Sequence, residues 1–98
     1  MKDFMDQFID SFLTYLIVVK GLSKNTVESY QRDIQKLSLF FEKKGISNIE
    51  QVEYKHILDF LSDLKEKDLG ARSVVRALVS IRQFFKYLLI ENIIKNDP

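Results

Sequence analysis

Only three glycines, Gly21, Gly45 and Gly70, and a single proline, Pro98, interrupt this 98-residue chain. Between them lie four long runs in which apolar residues recur at three- and four-residue steps, the period of an amphipathic helix. So few turn formers argue against an all-β chain. The pattern predicts an all-α fold, a compact bundle of four helices joined by short connections. No internal repeat or low-complexity tract appears.

Helix 1 is expected from about Asp3 to Lys20. Phe4, Phe8, Phe12, Tyr15 and Val19 recur along it, with Met5, Ile9, Leu13 and Leu16 beside them. Its apolar arc covers nearly half the circumference, and Gly21 reads as its stop. Ser23 is a good N-cap for helix 2, which extends to about Lys44 before Gly45. Val27, Tyr30, Ile34, Leu37 and Phe41 form its core stripe. Asn25, Ser29, Arg32, Lys36 and Lys43 share a polar, net basic stripe elsewhere on the wheel. Ile46 to Glu53 reads as a connector anchored by Ile49 and Val52. Helix 3 is expected from about Tyr54 to Lys67, with Ile57, Leu58, Leu61 and Leu64 inward. Helix 4 is expected from about Ala71 to Asn92. Val74, Ala77, Leu78, Ile81, Phe84, Phe85 and Leu88 make its apolar stripe. Arg72, Ser73, Arg76, Ser80, Gln83 and Tyr87 share the opposite arc. Asp97 before Pro98 favours an extended exit from the domain.

Composition removes several classes of function. Without cysteine there is no disulfide framework, thiolate metal site or thiol nucleophile. The single histidine, His56, rules out a multi-histidine metal site and reads as a partly exposed residue in the first turn of helix 3. No apolar run reaches the roughly 18 residues of a membrane span, and the N-terminus lacks signal-peptide features. A cytoplasmic protein without membrane contact is the expectation. No phosphate-cradling glycine loop is present. Pairs such as Asp59 and Asp63 read as a solvated helix face. Tyr15 and Tyr30 sit on apolar stripes. No catalytic site, cofactor, metal or small-molecule ligand is expected for this chain.

Net charge is +1, but its distribution is uneven. Residues 23–46 carry net +2 and residues 70–98 net +3, separated by net −3 over residues 47–69. A near-neutral total can conceal a basic face when the fold joins two such segments. Clustered Lys and Arg attract a phosphate backbone, and short polar side chains can reach base edges. Two readings follow from the residues: a DNA-binding bundle, or a helical protein–protein interaction module whose broad apolar helix 1 docks on a partner.

Gly21-Leu22-Ser23-Lys24-Asn25-Thr26, followed by Tyr30, Arg32 and Asp33, resembles the opening of the second helix in the N-terminal core-binding domain of tyrosine recombinases. That family includes phage integrases and bacterial Xer resolvases. Ala71-Arg72-Ser73, Arg76, Leu78, Ser80, Ile81, Arg82, Phe84, Phe85, Tyr87 and Leu88, then Glu91-Asn92 and Asn96-Asp97-Pro98, resemble the last helix and exit of the same domain. The resemblance implies a SAM-like, four-helix core-binding domain over residues 1–98, lying ahead of a catalytic domain beyond Pro98. It implies duplex DNA as partner, with other protomers assembled on the DNA as a tetramer. Carried over by position, the DNA contacts are Lys24, Asn25, Thr26 and Ser29 of helix 2, and Arg72, Ser73, Arg76 and Ser80 of helix 4. Arg82 and Lys86 lie off that arc. The first helix is implied to touch a neighbouring protomer. The family's catalytic tyrosine and its arginine–lysine–histidine pocket belong to the other domain, so none of the four tyrosines here takes that role.

Overall fold

The computed structural model describes residues 4–67 and 70–98. Four helices account for most of them: α1 (Asp6–Val18), α2 (Lys24–Lys43), α3 (Tyr54–Glu66) and α4 (Ala71–Ile90). A single 3₁₀ turn, Ile49–Gln51, lies in the connector before α3. No strand occurs among the described residues. The all-α, SAM-like expectation holds. The expected first residue of helix 1, Asp3, lies outside the described residues.

Local chemistry sets the helix ends. Ser23 Oγ accepts the Thr26 backbone N–H at 3.3 Å, the N-cap bond that the sequence predicts. At the other end of α2, Gly45 takes φ +77°. Its N–H reaches Glu42 O, and the Ile46 N–H reaches Phe41 O. This is the paired bonding of a Schellman C-cap, with Ile46 and Phe41 both buried beneath it. α4 ends the same way, two residues before the expected Asn92. Asn92 itself adopts φ +57°, its N–H bonds to Leu89 O, and the Ile93 N–H bonds to Leu88 O. Asparagine tolerates the left-handed region, so it closes the helix rather than extending it. At the start of α3, His56 Nδ1 accepts the Glu53 backbone N–H at 2.9 Å, which makes the only histidine a capping residue.

One core joins all four helices. Met5, Ile9, Phe12 and Leu16 enter it from the first segment, and Val27, Ile34, Leu37 and Phe41 from α2. Ile57, Phe60 and Leu64 enter from α3, and Ala77, Ile81, Phe84, Phe85, Tyr87 and Leu88 from α4. Phe12 is fully buried, with ring centroids of Phe84, Tyr87 and Tyr30 at 5.3, 5.6 and 6.1 Å. A radius of gyration of 12.9 Å is that of a folded domain of about 100 residues.

Three sequence expectations about burial are corrected. Leu58 is exposed, and Phe60 is buried in its stead, edge-on to Phe40 at 5.4 Å. The α3 stripe is therefore 57, 60, 61 and 64. Val19 is exposed at the end of α1. Ser80 and Tyr87, assigned to the outer arc of helix 4, are both buried.

Candidate nucleic-acid interface

α2 packs on α4, and their contact is marked by a buried carboxylate. Asp33 is 2% exposed. Ser80 Oγ donates to its Oδ2 at 2.7 Å. Arg76 donates through Nε to Oδ2 at 3.1 Å and through Nη2 to Oδ1 at 2.9 Å. This is a side-on bidentate pair, a strong form of charge-assisted hydrogen bond. The carboxylate raises the pKa of Arg76, first through the hydrogen bond and then through its charge, so the guanidinium stays ionised.

Arg76 is the point where the buried contact reaches solvent, its side chain remaining 47% exposed. Around it the two helices present their polar stripes. On α2, Ser29 and Lys36 lie one turn to either side of Asp33 on the same edge of the helix, and Arg32 lies just beyond them. Lys36 and Arg32 are exposed, and Arg32 Nη2 donates to Ser29 Oγ at 3.4 Å. On α4, Arg72 lies one turn before Arg76 and is exposed, with Ser73 half-buried beside it. Glu28, one turn from both Lys24 and Arg32, is the exposed acid nearest to this basic stripe on α2.

Seven of the eight residues expected to face a ligand keep some exposure. Lys24, Asn25 and Thr26 are exposed in the first turn of α2, and the Thr26 hydroxyl accepts from Ser23 Oγ at 2.9 Å. Ser29 is half-buried, its hydroxyl donating to Asn25 O at 3.1 Å. Ser80 is the correction. At 1% exposure its hydroxyl is spent on Asp33, so its place is beneath the surface rather than on it. A second adjustment concerns register. The opening of α4 meets the middle of α2, because Arg76 is held at Asp33, nine residues and roughly 13 Å along the axis from Lys24. The stripe beside the contact is therefore Ser29, Arg32 and Lys36, with Lys24 to Thr26 further along. Of the two off-arc cations, Arg82 is exposed and borders Tyr54 and Leu58 of α3.

The helical wheel missed the role of Asp33. A signal was present: Asp33 stands three residues after Tyr30 and four before Leu37, at the edge where the apolar face of α2 meets its polar stripe. An acid so placed requires a partner that removes the cost of burying its charge. Which arginine supplies it is a question of packing.

The chain matches the profile of the phage integrase N-terminal SAM-like domain over residues 9–92. It belongs to that family. Among curated relatives, it is 35% identical over 95 residues to tyrosine recombinase XerD of Listeria monocytogenes serotype 4b (strain F2365), covering 96% of this chain and 32% of that protein. It is 34% identical over 94 residues to tyrosine recombinase XerC of Oceanobacillus iheyensis, covering 96% and 31%. It is 31% identical over 94 residues to XerD of Staphylococcus haemolyticus, covering 96% and 32%. The integrase-type domain thus spans about a third of the length of the curated relatives it matches. No solved structure matches it significantly. The matched span takes in most of α1 and all of α2, α3 and α4, so the Asp33–Arg76 contact lies within the family domain.

Proposed function

We propose that this SAM-like domain binds duplex DNA and positions it for cleavage and strand exchange by a separate catalytic domain of a tyrosine recombinase. The observation that carries the reading is the exposed basic stripe beside the α2–α4 contact, Arg32, Lys36, Arg72 and Arg76, in a chain related to proteins named tyrosine recombinases. Lys24, Asn25, Thr26, Ser29 and Ser73 complete the contacting set. Lys24, Arg32, Lys36 and Arg72 draw the phosphate backbone, and the short side chains between them allow close approach to a groove. On this reading the chemistry of DNA breakage lies outside the chain, and the partners are duplex DNA and further recombinase protomers. The protein works in the cytoplasm.

Titration of the chain with a labelled duplex at two salt concentrations tests this. Binding is expected to weaken steeply with salt, and Arg72→Ala to lower the log–log slope by about 1, the value of one phosphate contact. Binding that is absent or indifferent to salt refutes the reading.

Ile17, Val18 and Val19, consecutive and all more than half exposed at the end of α1, favour a second and compatible role in contact between protomers. Sedimentation with and without duplex separates the two. A dimer indifferent to DNA would favour the protein–protein reading alone.

A further inference from the structure

Among the described residues, Asp33 is the one buried carboxylate, and it is joined to the exposed rim by a single side chain, Arg76. We propose that Asp33 is a positioning residue. Held from behind by Ser80, it fixes the Arg76 guanidinium as a directed fork and makes Arg76 the sequence-selective contact of the interface. This inference rests on the DNA-binding reading above.

The donor inventory supports it. A guanidinium carries five N–H groups in one plane. Asp33 engages the Nε edge, taking Nε–H and one hydrogen of Nη2. Both Nη1 hydrogens and the second Nη2 hydrogen remain, and the Nη1–Nη2 edge is directed away from the carboxylate. That edge presents two parallel donors, which fit the O6 and N7 acceptors of guanine in a major groove. A surface arginine must give up rotamer freedom to place such a fork. Here the freedom is already spent inside the protein, because Asp33 is buried and Ser80 Oγ holds it at 2.7 Å.

Electrostatics points the same way. The Asp33 charge cancels that of Arg76 at 2.9 Å, so the pair adds little to the general attraction of DNA. That attraction falls to Lys24, Arg32, Lys36 and Arg72. Arg76 therefore acts through geometry, and the cations around it act through charge.

Two substitutions separate geometry from charge. The wild-type chain is used to select a tight-binding duplex from a random-sequence pool. Its affinity for that duplex is then compared with its affinity for the unselected pool, and the same two measurements are made for Asp33→Asn and Arg76→Lys. Circular dichroism and urea unfolding check that each variant folds. Asp33→Asn removes a negative charge, so pool binding is expected to hold or tighten. Preference for the selected duplex is expected to fall roughly tenfold, the discrimination of one bidentate pair. Arg76→Lys keeps the charge and loses the fork. Its pool affinity is expected to stay level while preference falls by a similar factor. Because Arg76 is half-exposed, this variant decides the matter if Asp33→Asn does not fold. An unchanged preference in a folded variant overturns the proposal. So does equal weakening toward both DNAs, or a wild-type chain that selects nothing from the pool. Complete absence of duplex binding by the wild type would instead refute the DNA-binding reading, and this inference with it.

Discussion

Tyr87 illustrates how a single side chain ties pH to stability. Its ring packs on Phe12 at 5.6 Å and on Tyr15 at 5.0 Å, and it is 6% exposed. Burial pushes its phenol pKa up from 10.0. The charges of Glu91 and Tyr15 push in the same direction, and a hydrogen bond with Ser11 opposes them. The folded state therefore holds this proton more tightly than the unfolded chain does. Its contribution to stability is complete below about pH 10, where both states are protonated, and is lost as pH rises through the native value. Tyr87→Phe removes the titration. In urea unfolding between pH 8 and pH 11, the variant is expected to lose less stability than the wild type above about pH 10. Parallel curves would show that Tyr87 is not the group responsible. The burial itself was not legible on the helical wheel. Tyr87 is three residues from Phe84 and one from Leu88, at the margin of the apolar stripe. Only the arrival of α1 across that margin, with Phe12 and Tyr15, encloses it.

Helix boundaries follow local chemistry where a residue carries a strong backbone preference. Ser23 and Gly45 bracket α2 as the sequence predicts, because a side-chain cap and a left-handed stop act within a turn of their own position. Helix 1 was expected to reach Lys20 because its apolar period continues through Val19. In the fold it stops at Val18, and both the Val19 and Lys20 N–H groups bond to Tyr15 O. α4 begins at a more demanding position. Gly70, its N-cap, sits at φ +84° and ψ +156°, a region open essentially to glycine alone. A Cβ there would meet no atom within 4 Å, so the cost of adding one is backbone strain and not crowding. Gly70→Ala is expected to destabilise the chain by about 1–3 kcal/mol in chemical denaturation. A change of a few tenths would mean that the start of α4 relaxes to another backbone geometry. The start of α4 also carries Arg72 and Ser73, so a shifted helix opening would reach the candidate interface.

The whole molecule is organised around Phe12, which meets rings from both α2 and α4. Phe12→Ala is expected to cost about 3–5 kcal/mol. That is a large share of the roughly 5–15 kcal/mol that stabilises a typical domain. Because one core joins every helix, the loss is expected as a single lowered unfolding midpoint, the same by circular dichroism and by tyrosine fluorescence. Two separate transitions would show that α1 detaches from a remaining three-helix unit. The sequence by itself determined the all-α class, the four helices, the caps of α2 and the basic stripe of Asn25, Ser29, Arg32, Lys36 and Lys43. Each of these depends on neighbours within a few residues and on a rotation of about 100° per residue. Phe60 in place of Leu58 in the core was legible there too, since it follows the i, i+3, i+4, i+7 spacing of Ile57, Phe60, Leu61 and Leu64. Tertiary structure alone decided that Asp33 holds Arg76 and that Ser80 lies beneath the surface. Asp33 is 43 residues from Arg76 and 47 from Ser80. Contacts at that range depend on where two helices cross, which no periodicity within either helix can specify.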